Sequence, residues 1–462
     1  MTSKDFLLAP FFLLLMYSVA FWIRKKYIAE DDPTRKYFIM GLNAKVFGAF
    51  ATSLIYWYYY GTGDTIYYFQ KIEAVRDLIS KDFNTGMKMF VPKYFLDEYL
   101  VQINLWRIRY NDLSYKTVVQ IGTFFSFFVA KTYIGITLIF SFLSYLGLWL
   151  LYRVFYHQFP SYGKPLAYVV LLVPSVVFWG SGLFKDTISI GCTGWLVYNI
   201  YRVFINPSRR RMNLILLVVN VYMIAIIKTY IIACLVPMLL AWVVLTFRSN
   251  IKSNFIRTSI TPFLIVATIV GGAVMTKQIS SMSDRFSLDQ LEKRATDMVW
   301  WHTQVKEIYG EEGGGSSYSL GNPYDFSPTG ILKKVPLAIN VTYFRPYLWE
   351  AKNPVVFISA LESLALFLFF GILFINIGPK LISRMFGKPF LIFCFGFSLL
   401  FAVGVGITSY NFGALVRYKI PAMPFFVGGL TVLYYDMKER KKSKENQEEI
   451  EITEENNLSQ SS

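Results

Sequence analysis

Six ionisable side chains interrupt otherwise apolar stretches of this chain, and their types suit one kind of chemistry. Asp64 lies between glycines and tyrosines in WYYYGTGDTIYYFQ (57–70). Lys185 and Asp186 interrupt PSVVFWGSGLFKDTISIG (174–191), Lys228 lies in IKTY, and Arg417 and Lys419 lie in SYNFGALVRYKIPAMP (409–424). Arg and Lys suit phosphate oxygens, and a carboxylate within hydrogen-bond reach of a hydroxyl can act as a general base. Trp and Tyr faces offer stacking surfaces for sugar rings. Four of the six also have a plainer reading. Asp64 suits a helix start, Lys185 with Asp186 suits a turn salt bridge of about 0–1 kcal/mol, and Lys228 suits a lysine reaching the headgroups.

The elements that carry these residues are membrane spans. The chain has 462 residues, of which 54% are hydrophobic, 18% aromatic and only 16% charged; soluble domains carry about 25% charge. Its apolar residues fall in blocks of about 17–22, the length needed to cross a bilayer. The expected fold is all-α, a polytopic transmembrane bundle of about eleven spans: 6–23, 43–60, 134–152, 165–181, 187–205, 212–227, 231–247, 260–276, 354–376, 389–409 and 420–436. Residues 1–436 form the membrane domain, with large outer segments at about 61–133 and 277–353. Residues 437–462, polar and charge-blocked, read as a disordered tail. The first apolar block ends in RKK without a small-residue cleavage site, so no removable signal peptide is expected.

Basic residues sort by loop. RKK (24–26), Arg35, Lys36, Arg153, Lys164, RRR (209–211), Arg248, Lys252, Arg257, Lys380, Arg384, Lys388 and the tail lysines fall in alternate connections. The short connections between them hold only Lys185, Lys228, Arg417 and Lys419. The positive-inside rule then puts the N-terminus outside and the C-terminus in the cytoplasm. It also requires VVQIGTFFSFFVAKTY (118–133) to be interfacial or re-entrant, because one more crossing would reverse the bias. The net charge of +16 is a property of loops and does not indicate nucleic acid.

Other groups add little metal chemistry. Cys192, Cys234 and Cys394 lie inside spans as packing residues, so no disulfide framework or metal site is expected. GEEGGGSS lacks the Gly-Lys-Ser/Thr ending of a phosphate-binding loop. No cofactor is expected, and nothing specific supports a divalent metal. His302, in VWWHTQ (299–304), reads either as a packed interfacial histidine or as part of the site. Arg345 and Glu350 in YFRPYLWEAKNP (343–354), together with Tyr418, complete the candidate binding set. Glu362, inside the ninth span, is expected to pair within the bundle.

With the assigned topology these polar residues collect on the outer face. A cationic rim with carboxylates and aromatics suits a lipid-linked phosphosugar whose tail lies in the bilayer. GTGD followed by YY is similar to the Gly-Asp-(x)n-Tyr element of Wzy-type and exopolysaccharide-polymerase-like membrane proteins. PSVVFWGSGLFKD, IKTY, FRPYLWE and RYKIPAMPF resemble patterns of GT-C-type integral membrane glycosyltransferases from bacterial surface-polysaccharide loci.

The resemblance implies a polyprenyl-(pyro)phosphate-linked saccharide donor, an acceptor glycan or glycolipid, and transfer at the outer face of the bacterial inner membrane. It implies catalytic roles for Asp64 and Arg417, with Lys185, Asp186, Lys228, Arg345, Tyr418, Lys419, His302 and Glu350 binding substrate. The chain departs from the GT-C pattern in offering a lone Asp64 after the second span, where paired carboxylates after the first are usual. Polymerisation of lipid-linked repeat units and transport of a lipid-linked saccharide are the alternatives.

Overall fold

A computed structural model describes residues 1–90, 113–248, 318–322, 325, 327–409 and 411–460. Every regular element among the described residues is helical. Seven helices there are long and apolar enough to cross a membrane. They are α1 (Ser3–Tyr27), α2 (Arg35–Leu54, continued by a π-helical turn to Tyr60), α6 (Tyr133–Gln158), α9 (Lys185–Ile200, continued to Ile205), α10 (Arg210–Thr246), α12 (Pro354–Ile377) and α14 (Pro389–Ser409). Shorter helices join them: α3 (Asp64–Lys81), α4 (Phe83–Lys88), α5 (Leu113–Ser126), α7 (Gly163–Leu171), α8 (Pro174–Trp179), α11 (Pro328–Phe344), α13 (Lys380–Met385) and α15 (Phe412–Tyr418). The last helix, α16, runs from Met423 to Gln460.

Contacts between connections define two ends of the bundle. At one end Asp5 Oδ1 accepts the Ile134 N–H at 3.1 Å, and the Thr65 and Tyr133 hydroxyls are 2.7 Å apart. At the other, Arg153 pairs with Asp32 and donates to Thr34 Oγ1 at 2.6 Å, and Tyr162 donates to Glu439 Oε2 at 2.7 Å. Partial burial raises the Asp32 carboxyl, but hydrogen bonds from Thr34 and Arg153 outweigh it and hold the group low.

Several expected spans take a different form. The 165–181 stretch is broken: α7 stops at Leu171, Val173 is extended (ψ 123°), and α8 starts at Pro174. Proline disfavours helical backbone in the residue before it, which accounts for the break. The expected spans 212–227 and 231–247 form one helical run, α10, of 37 residues with a non-helical residue at Lys228 (φ −150°, ψ 79°). Lys228 meets Asp186 at the start of α9, whereas Trp242 stacks on Tyr201 near its end, with centroids 6.3 Å apart. Since Arg210 also follows directly from that end, α10 doubles back at Lys228.

Helix α5, with 14 residues, is shorter than the roughly 20 needed to span a bilayer, and it packs against α3. Helix α11 falls in what was expected to be an outer segment, yet it runs down the flank of α14. Thr342 donates to the Ala402 carbonyl at 3.0 Å and Tyr343 to that of Ser398 at 2.8 Å. The expected disordered tail continues the last helix as far as Gln460. Arg440 with Asp436 at 2.8 Å, and Lys441 with Glu445 at 3.8 Å, are the i,i+4 pairs that favour helix in such a charged sequence. The expected span 260–276 lies outside the described residues.

The crossing of α6 and α9 depends on glycine. A Cβ on Gly147 would come within 2.0 Å of the Gly191 carbonyl, and one on Gly194 within 2.2 Å of the Gly147 carbonyl. Small residues let helix backbones approach this closely in a bilayer. Gly147→Val is therefore expected to lower stability by about 1–3 kcal/mol, read as earlier thermal unfolding in detergent. An unchanged midpoint would show that the two helices can separate without cost.

Candidate active site: a buried charge cluster

Four chain segments deliver one charged group each to the same end of the bundle. Asp64 opens α3 directly after Gly61 (φ 64°) and Gly63 (φ 125°), backbone that favours glycine. Asp186 lies in the first turn of α9, where the helix dipole favours an anion. Lys228 is at the reversal of α10, and Arg417 is in the last turn of α15. Arg417 Nη1 donates to Asp64 Oδ2 at 3.0 Å, and its Nε donates to Asp186 Oδ2. Lys228 Nζ donates to Asp186 Oδ1.

Exposure falls steeply across the cluster. The Asp64 side chain is 31% exposed, Arg417 14%, Lys228 7% and Asp186 0%. Among the described residues, two carboxylates balance two cations. That balance is what makes their burial tolerable, because an uncompensated ion in such surroundings costs several kcal/mol. Aromatic rings close the sides. The Arg417 guanidinium lies 4.7 Å from the Phe184 ring centroid, and Lys228 Nζ lies 4.7 Å from that of Tyr418 and 5.8 Å from that of Tyr230. Tyr56 packs on Phe184 at 5.2 Å and lies under Gly63, whose Cβ would meet its ring at 2.7 Å.

The expected binding set divides. Asp64, Asp186, Lys228, Arg417 and Tyr418 converge. Lys185 and Asp186 are not a pair: Lys185 Nζ donates to Ser114 Oγ of α5 at 2.6 Å, while Asp186 turns into the cluster. Arg345 pairs with Glu350 five residues on, Nε to Oε2 at 3.0 Å, and stacks over Phe412 at 5.2 Å. These two therefore brace each other and are not drawn into the cluster. Lys419, expected in a short connection at the outer face, is not exposed there. It is fully buried, its Nζ 3.9 Å from Glu362 Oε1 and 3.4 Å from Ser363 Oγ. His302 lies outside the described residues.

Lys419 belongs to a second polar group, deeper in the bundle. Glu362 Oε2 accepts the Ser175 N–H at 2.7 Å, the donor that the break before α8 leaves available. At the other end of α8, Lys45 Nζ donates to the carbonyls of Gly180 (2.5 Å) and Val176 (3.3 Å) and to Ser144 Oγ (3.3 Å). Lys45 was not among the expected site residues, although a lone lysine in GLNAKVFGAF was a visible signal. Glu362→Leu is expected to cost about 1–3 kcal/mol more than Glu362→Gln, which keeps an acceptor for Ser175. Thermal unfolding of the two variants compares them, and equal midpoints would show that this buried hydrogen bond contributes nothing to stability.

No family model, curated protein or solved structure matches this chain. Among the described residues, no group of three or more His, Cys, Asp and Glu side chains is arranged to hold a metal ion. Arg417 Nη2 makes no hydrogen bond among the described residues, which leaves the guanidinium a donor edge. A partly exposed carboxylate beside such a guanidinium can exchange protons with a ligand hydroxyl, and the guanidinium can hold an anionic oxygen.

Proposed function

We propose that this chain is a membrane glycosyltransferase that takes a polyprenyl-(pyro)phosphate-linked saccharide at the charged end of its bundle. The observation that carries the reading is the convergence of Asp64 and Arg417 from distant segments, with Asp64 the most exposed group of the cluster. In the reaction, the acceptor hydroxyl oxygen bonds to the anomeric carbon and its proton passes to Asp64. The bond from that carbon to the phosphate oxygen breaks, and its electron pair stays with the phosphate. Positive charge grows on the sugar and negative charge on the leaving oxygens, so a fixed guanidinium is worth most in the transition state. Asp186 and Lys228 hold Arg417 from behind. Under this reading the charged end faces outside, the C-terminus is cytoplasmic, and the protein works in surface-polysaccharide or glycoconjugate synthesis in a bacterial inner membrane.

Joining of lipid-linked repeat units would use the same residues with a longer donor. A transport reading has its own support, since Lys45, Glu362 and Lys419 lie inside the bundle around the broken α7–α8 segment, as substrate sites of transporters do. Loss of the gene separates the three. Accumulated lipid-linked saccharide lacking one sugar indicates single transfer, and accumulated complete repeat units indicate polymerisation. Complete lipid-linked saccharide retained on the cytoplasmic leaflet indicates transport and overturns the transferase reading.

A further inference from the structure

The contact between Asp64 and Arg417 raises a problem for any displacement that uses both. A base and the cation of the leaving phosphate belong on opposite sides of the reacting carbon, yet here they touch at 3.0 Å. The exposure gradient suggests how they part. Asp186 is fully buried and held by both Lys228 and Arg417, so it is fixed. Asp64 follows two glycines of positive φ at the open edge of the cluster. It occupies one terminal nitrogen of a guanidinium whose planar fork matches phosphate geometry.

We infer that Asp64 is an internal stand-in for phosphate: a ligand phosphate group binds Arg417 by displacing the Asp64 carboxylate, and only then is Asp64 released to receive the acceptor proton. The inference rests on the reading of Arg417 as the phosphate-binding cation. It makes donor binding the trigger for base activity and imposes an order, donor before acceptor. The unliganded protein is thereby kept from activating water or a stray hydroxyl. Nothing new has to be buried in the exchange, because one anion leaves Arg417 as another arrives.

A binding cycle tests this without turnover. The full chain in phosphatidylcholine nanodiscs is titrated calorimetrically with inorganic pyrophosphate and with a short-chain polyprenyl phosphate. Asp64→Asn is expected to bind both about two- to fivefold more tightly than the parent, the scale of a partly exposed ion pair. Asp64→Glu, which keeps the competing carboxylate, is expected to bind like the parent. In an Arg417→Lys background the gain from Asp64→Asn is expected to disappear. Equal or weaker binding by Asp64→Asn overturns the inference. So does a gain that persists in the Arg417→Lys background, since it would then be a general charge effect. Phosphatidylglycerol in the discs tells the two phosphate sources apart. Competition as strong as that of polyprenyl phosphate would keep the exchange at Arg417 while removing the lipid-linked donor from the proposed function.

Discussion

Arg417→Ala is expected to reduce glycosyl transfer by about 10²–10³-fold, the usual effect of deleting one fixed donor to a developing anion. The same change removes the cation that Asp186 and Asp64 share, and Asp186 is fully buried. Breaking a buried pair from one side costs about 3–5 kcal/mol, so lost activity alone would be ambiguous. Arg417→Lys separates the two effects. It keeps a positive charge beside Asp186 but cannot reach Asp186 and Asp64 with separate nitrogens of one rigid plane. It is expected to unfold within a few degrees of the parent and still lose transfer by at least about tenfold. Full activity of a folded Arg417→Lys protein would show that the guanidinium acts only as a charge.

The second large effect is on stability. Asp186→Asn leaves Lys228 and Arg417 side by side, 7% and 14% exposed, without the anion between them. The expected cost is about 3–5 kcal/mol. Lys228→Met removes one cation but leaves Asp186 with Arg417, so it is expected to cost less. Combining the two restores balance to part of the cluster, and the double variant is expected to be more stable than Asp186→Asn alone. The coupling should fall in the range of about 0.5–3 kcal/mol seen for residues in one network. Simple additivity in thermal or denaturant unfolding would mean that water already screens the cluster.

Much of this was legible in the chain, for identifiable reasons. Charges in apolar tracts are costly, so Asp64, Asp186, Lys228 and Arg417 are conspicuous in the sequence itself. Their pairing is not. Lys185 and Asp186 are adjacent in sequence, but successive residues of a helix point about 100° apart, so Asp186 meets Lys228 and Arg417 while Lys185 is directed to Ser114. The reversal of α10 was visible in a run too long for one crossing, with a lysine at its centre. The break at Val173 was marked by Pro174, but a window of average hydrophobicity still reads that stretch as a span. The inward path of 412–422 was hidden because burial depends on tertiary contacts: the Ala422 carbonyl accepts from Ser398 Oγ at 3.4 Å, far from the end of α14. The charged terminal helix reads as disorder from composition, which does not register i,i+4 pairing.

The most direct measurement is transfer by the purified full chain in nanodiscs, from a polyprenyl-phosphate-linked sugar to an acceptor glycan, with the parent and Asp64→Asn compared. Product is expected from the parent, and a loss of about 10²-fold or more in Asp64→Asn, with donor binding retained. An Asp64→Asn protein that forms product at the parental rate would contradict the assignment of Asp64 as the base.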